Sequence, residues 1–193
     1  MKDNFFKKAC RAALFIALGV AALLTIGNPI GPFLFALGLM AVCYINDGYL
    51  FTGSCGYIHN TETFKQGMII LAGNLLFGFI AGAMIGYANP DLQSIAAEKV
   101  ANWIPEVTAL NIMKFFIKSC FCGIVMFTAV DMVKKKNNYM GILLGVPLFI
   151  FCGWQHSIAN TITCGVALTI SWTIPICIAG NWLGSYMTRK MFE

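Results

Sequence analysis

The stretch GWQHSIAN, residues 153–160, places a histidine and several other polar groups inside a long apolar run. A glycine at its start and a run of polar residues after it predict a break in an otherwise helical apolar segment. Ionisable groups at membrane depth are costly and commonly mark a pathway through the protein. The stretch therefore favours a functional role for His156, and a hydrogen-bonded packing histidine is the alternative.

The composition indicates an integral membrane protein. Of the 193 residues, 59% are hydrophobic and 11% are charged, against about half and about a quarter in soluble proteins. Apolar segments recur along the whole length, so a single transmembrane domain over residues 1–193 is predicted. The net charge of +5 comes from cations that flank the apolar runs. This arrangement argues against a nucleic-acid partner and favours the lipid bilayer.

The apolar runs predict six membrane spans, of which the second and the fifth are broken. The second is interrupted at residues 46–48 and again at 52–54, and the fifth is interrupted at the opening stretch. Backbone at such breaks has no partner in lipid, so it must face protein or water. The second predicted span begins with the run 33–45, and the other predicted spans cover 12–26, 68–87, 111–132, 139–169 and 171–187.

Two short motifs recur at nearly the same offset. TGSCG at 52–56 returns as TITCG at 161–165, a spacing of 109 residues, and AGNL at 72–75 returns as AGNW at 179–182, a spacing of 107. With three spans in each half, the halves cross the membrane in opposite senses. We therefore predict two inverted three-helix repeats, 12–88 and 110–188, joined by an external interfacial linker, 89–109.

Lysine and arginine are concentrated in segments that this topology places inside the cell. They include the tail at 1–11, the KKK run at 134–136 and the last residues of the chain. The positive-inside rule then predicts a multi-pass protein of the cell membrane with both termini in the cytoplasm.

Four motifs in this order resemble the formate/nitrite transporter family: LFTG at 50–53, GNL at 73–75, QHSIAN at 155–160 and GNWLG at 180–184. The resemblance covers almost the whole chain. It implies an all-α, aquaporin-like fold assembled as a homopentamer. It also implies a pore in each subunit for small monovalent anions of weak acids, such as formate, nitrite or hydrosulfide, with no enzymatic activity and no cofactor.

The resemblance also assigns residues to the pore. His156 takes the position of the central pore histidine, and Thr52 that of the threonine near it. Leu50 and Phe51 fall beside the apolar constriction. Lys118 takes the place of a basic residue that attracts anions, although a lysine near the interface can equally extend toward water.

Several residues depart from the family pattern or allow two readings. Gln155 stands where the family has glutamate, which leaves substrate identity and proton coupling open, and Asn160 is a further candidate pore residue. At the 109-residue offset Asp47 falls opposite His156, so it is either a proton-relay partner or a helix cap.

Asn74 and Asn181 lie in the glycine-rich third span and in the sixth. Each could line the pore, but an asparagine here is suited to hydrogen-bond the freed backbone of a neighbouring broken helix, and we favour that structural role.

Two other functions fit the sequence less well. The first is an aquaporin-like pore for a small neutral solute, which the uncharged Gln155 would suit. The second is a membrane redox protein using Cys120, Cys122 or His156. The eight cysteines lie mostly in apolar runs and lack the spacing of a zinc site, so no metal is predicted.

Overall fold

A computed structural model describes residues 4–45 and 49–193. No strand occurs in these two ranges, so the all-α class predicted from the sequence is confirmed. The helices are α1 (Phe5–Ile26), α2 (Gly31–Ile45), α3 (Phe51–Ser54) with a 3-10 turn (Cys55–Tyr57), α4 (Thr61–Ala88), α5 (Pro90–Ala101), α6 (Ala109–Lys136), α7 (Met140–Phe151), α8 (Ser157–Val166) and α9 (Ile174–Phe192).

Three of these helices, α1, α4 and α6, are long and apolar enough to cross a membrane, and α2 and α7 are shorter apolar helices. Helix α7 is followed by a break and the short helix α8, as the sequence predicts. The short helix α3 follows residues 49 and 50, which are not helical. The number of six spans stays a prediction. Helix α1 begins at Phe5, inside the segment assigned to the tail, and α5 occupies the segment assigned to the linker.

Polar side chains cap the long helices at their first residues. The side chain of Asn4 accepts a hydrogen bond from the backbone of Lys7, and that of Thr108 accepts one from Asn111. Asn60 and Thr63 form a reciprocal capping box at the start of α4. These bonds satisfy backbone donors that have no partner within the helix.

The two breaks differ in detail from the prediction. Residues 52–54, predicted as a second interruption of span two, form the short helix α3. The helix after the opening stretch resumes at Ser157, four residues earlier than the predicted Thr161, because the side chain of His156 caps it. The predicted interruption at 46–48 lies outside the described residues.

The packing repeats between the two halves of the chain. Helix α1 packs against α2 and α4, and α6 packs in the same way against α7 and α9. Helix α4 contacts α8 of the other half, and α9 contacts the 3-10 turn after α3. Each half therefore holds the short helix of the other.

Glycines bring these helices close together. A Cβ on Gly86 of α4 would collide with the carbonyl oxygen of Val166 in α8, and one on Gly184 of α9 would collide with that of Cys120 in α6. Small residues allow such backbone contact between membrane helices. The close packing fixes where the two broken helices meet.

Candidate functional site

The two broken helices meet at a hydrogen bond between Thr52 and His156. Thr52 Oγ1 lies 2.9 Å from His156 Nε2, although the two residues are 104 positions apart in the chain. Thr52 is fully buried and His156 is 1% exposed. The pair joins α3 of the first half to the start of α8 in the second.

A second hydrogen bond determines which nitrogen of His156 carries the proton. His156 is the N-cap of α8, and its Nδ1 accepts a hydrogen bond from the backbone N–H of Ala159 at 3.1 Å. The neutral ring therefore carries its hydrogen on Nε2 and donates it to Thr52. Because the Thr52 oxygen accepts this bond, its own hydrogen can donate to another acceptor.

Asn181 holds the backbone on both sides of His156. Its Oδ1 accepts a hydrogen bond from the N–H of Ser157 at 2.8 Å. Its Nδ2 donates to the carbonyl oxygens of Ser119 and Gln155, both at 2.8 Å. One fully buried side chain thus connects α6, the break before α8 and α9.

Asn74 makes the matching contacts at the other break. Its Oδ1 accepts a hydrogen bond from the N–H of Phe51 at 2.8 Å, and its Nδ2 donates to the carbonyl oxygens of Ala9 at 2.8 Å and Tyr49 at 3.3 Å. The two asparagines therefore occupy equivalent places in the two halves of the fold.

The structure also gives the register of the repeat. The N-caps of α3 and α8 are Leu50 and His156, which are 106 residues apart. The structural counterpart of His156 is therefore Leu50, whereas the 109-residue offset of the sequence motifs paired it with Asp47. Asp47 itself lies outside the described residues.

A cavity of about 460 Å³ reaches His156 from one side, and we call it the His156 cavity. Gln155 and Asn160 line it together with the histidine, and Asn160 Nδ2 donates to Gln155 Oε1 at 2.8 Å. Phe35 and Phe149 form an apolar part of its wall, with ring centroids 6.0 Å apart. The cavity is thus apolar with a few polar groups near the histidine, which is typical of a site for a small solute.

A smaller cavity of about 220 Å³, the Tyr57 cavity, lies beside the other break. Its lining includes Tyr49, Ser54, Tyr57 and Lys134 and shares no residue with the His156 cavity. The segment 50–52 lines neither cavity and is fully buried. Leu50 and Phe51 therefore belong to closed apolar packing next to the Thr52–His156 pair.

Among the described residues, the cation that lines the His156 cavity is Lys99, which none of the sequence motifs includes. The side chain of Lys118 is exposed and does not line this cavity, although its carbonyl oxygen accepts a hydrogen bond from the N–H of Gln155 at 3.4 Å. Lys99 lies on α5 and lines the cavity with Glu98. The amphipathic spacing of residues 92–103 was a signal that this helix turns one face inward.

The protein around Lys99 makes its ammonium group easier to deprotonate. Its side chain remains accessible to solvent, yet the protein around it partly desolvates the ammonium group and lowers the pKa of Lys99 below the usual lysine value. Within residues 4–45 and 49–193, no group of three or more histidines, cysteines, aspartates or glutamates is placed to hold a metal ion.

Comparison with known proteins agrees with this architecture. The structure is similar to a pentameric formate channel with formate bound, with a TM-score of 0.71 and 19% identity over 100% of this chain and 96% of the other. It is also similar to an FNT family ion channel, with a TM-score of 0.72 and 20% identity over 97% of this chain and 86% of the other. These identities show the fold alone.

No curated protein matches the chain. The model of the family described as formate/nitrite transporter matches residues 2–189, nearly the whole sequence. With the four motifs and the fold, this match shows that the chain belongs to the formate/nitrite transporter family.

Proposed function

We propose that this protein is a membrane channel or transporter for small monovalent anions of weak acids, such as formate, nitrite or hydrosulfide. The observation that carries the proposal is the His156 cavity, which reaches His156, the residue that bonds Thr52 where the two broken helices meet. Family membership and the likeness to a formate channel support it.

The proposed site offsets part of the free-energy cost of removing the hydration shell of an anion. Leaving a charge unpaired in a low-dielectric region costs several kcal/mol. Thr52, buried behind His156, has a hydroxyl hydrogen that its bond to the histidine does not use, and an anion that moves past His156 can accept it. The Nε2–H of His156 becomes available to the anion when the bond to Thr52 opens. The start of α8 adds the partial positive charge of a helix N-terminus. Together these groups favour an anion over a cation at the end of the cavity.

The next step crosses the buried apolar segment at Leu50 and Phe51, where a neutral acid passes more easily than an anion. His156 is a poor source of the neutralising proton. Its Nδ1 accepts the hydrogen bond that caps α8, so the ring cannot become an imidazolium without losing that cap. In this proposal the proton comes from water in the cavity, and His156 serves as a neutral hydrogen-bond donor.

The proposed assembly is a homopentamer in the cell membrane, with one pore in each subunit and both termini in the cytoplasm. Its support is the pentameric state in the name of one similar structure and the distribution of lysine and arginine. The repeated packing of the two halves supports two inverted repeats with six spans in total.

Flux into liposomes tests the proposal. Purified protein is reconstituted and challenged with formate, nitrite, hydrosulfide, acetate, lactate and glycerol, and protein-free liposomes give the background. We expect flux of at least one small anion above that background, and its loss in H156N. Glycerol flux without any anion flux would instead indicate a pore for neutral solutes.

A further inference from the structure

Helix α5 presents one face to the His156 cavity. Ile95, Glu98, Lys99 and Asn102 all line the cavity, and they follow the spacing i, i+3, i+4 and i+7 that places side chains on one side of a helix. The fully buried Ala96 fixes the rotation of α5, which packs against α1, α4 and α8. The packing of α5 against its neighbouring helices therefore places Lys99 at the cavity.

The charge of Lys99 is not neutralised by an ion pair. Within the described residues, neither Lys99 nor Glu98 has an oppositely charged partner within 4.0 Å. Deeper in the cavity, the uncharged Gln155 and Asn160 bond to each other. Among the residues that the structure describes, no second carboxylate lines the cavity, and Glu98 is the negative charge there that opposes the lysine.

We propose that Lys99 on α5 determines the charge specificity of the His156 cavity: its ammonium group concentrates monovalent anions above His156. The inference rests on the proposed anion transport and identifies the cation that serves it. A positive charge in a cleft with low-dielectric walls raises the local concentration of anions and disfavours cations. Neutral Gln155 leaves this attraction intact, whereas a glutamate at that position would oppose it.

A structural role for Lys99 predicts different results. The residue is in the last turn of α5, where a cation is favourable because of the helix dipole. Such a role would alter the stability of the protein and leave the concentration dependence of transport unchanged. Measurements of transport at several anion concentrations therefore separate the two roles.

The experiment measures formate flux into proteoliposomes as a function of formate concentration. We expect K99Q to raise the half-saturating concentration about two- to fivefold, which is the size of effect that one unit charge has across a wet cleft. K99R should restore the original value, and E98Q should lower it. The matched control K114Q removes an exposed lysine of α6 that does not line the cavity, and should change nothing.

Ionic strength provides a second readout. At about 1 M salt the Debye length falls to about 3 Å, so K99Q and the unmodified protein should become alike. An unchanged half-saturating concentration in K99Q, or the same rise in K99R, would overturn the inference while leaving anion transport established. Absence of formate flux in the unmodified protein, with no other anion carried, would overturn both the inference and the proposed function.

Discussion

Replacing Asn181 with alanine should strongly destabilise the fold around α8. The side chain is fully buried and forms hydrogen bonds with the backbone of Ser157, Ser119 and Gln155, each at 2.8 Å. N181A removes all three and leaves one N–H and two carbonyl groups without that partner. Water does not reach these groups readily within a membrane-spanning fold, so the loss is larger than at a surface.

The expected loss follows from the number of bonds. A buried polar group that loses its partner costs about 1–3 kcal/mol, whereas hydrogen bonds in membrane proteins average about 0.6 kcal/mol. Three bonds at the membrane average give about 2 kcal/mol, and three at the lower end of the range for buried groups give about 3 kcal/mol, so we expect N181A to lose about 2–3 kcal/mol. N181D keeps the size and the acceptor for Ser157 but cannot donate to the two carbonyl oxygens when ionised, so it should be destabilised as well.

The assay is equilibrium unfolding of the purified protein in mixed micelles. The control is N89A, which removes an exposed asparagine between α4 and α5 whose side chain donates one hydrogen bond to the carbonyl oxygen of Ile85 in α4. We expect N89A to stay within about 0.5 kcal/mol of the unmodified protein, as surface substitutions usually do. If N181A unfolds like N89A, the three hydrogen bonds do not support the broken helix as argued.

The remaining predictions concern close packing, the central pair and the charge at the cavity. G184A should lower stability by about 1–3 kcal/mol in the same assay, because the new Cβ collides with the Cys120 carbonyl oxygen and forces α6 and α9 apart. H156N should fold, because asparagine is a good N-cap. Its shorter side chain does not reach Thr52 and no longer places a donor for the anion. Formate flux should therefore fall about tenfold or more, which corresponds to the loss of one hydrogen bond to the charged anion. Because the pKa of Lys99 is lowered, its ammonium group loses its proton at a lower pH than an ordinary lysine. The half-saturating formate concentration should therefore rise as the pH of the assay is raised toward the usual lysine pKa, and it should not do so in K99Q.

Each of these predictions has its own control. G145A is the mild counterpart of G184A, because its Cβ would lie 3.1 Å from a side-chain methyl of Val125, which can move. Equal destabilisation of the two variants would contradict the packing argument. Undiminished formate flux in folded H156N would show that His156 is a helix cap and nothing more. The pH prediction fails if K99Q follows the same pH dependence as the unmodified protein.

The sequence alone was sufficient for the class of fold and for the break before α8. Long apolar runs predict membrane helices because lipid leaves the backbone no other partner, and polar residues inside such runs predict interruptions for the same reason. Helices α1, α4 and α6 contain the predicted spans 12–26, 68–87 and 111–132, and α1 and α4 each begin seven residues earlier than predicted. The importance of His156 and Thr52 also came from the sequence, through motifs whose order resembles the family.

The contact between Thr52 and His156 was decided by the tertiary structure, since it joins residues 104 positions apart. The two motif offsets differ in how well they describe the repeat. The offset of 107 residues pairs Asn74 with Asn181, which make matching contacts. The offset of 109 residues pairs His156 with Asp47, whereas the helix caps at Leu50 and His156 are 106 residues apart. Asn74 and Asn181 form hydrogen bonds with backbone groups of other segments, and sequence motifs do not show which backbone groups lie within reach.

Lys99 is a second example of a feature that the tertiary structure decided and the sequence did not. The sequence predicted an interfacial linker over 89–109, but it could not show which helices this segment packs against or which lysine faces a cavity. Packing of Ala96 against neighbouring helices decided that Lys99 lines the His156 cavity while Lys118 points away from it. The physical reason is that periodicity fixes the faces of a helix, whereas only contacts with other helices fix the direction in which each face points.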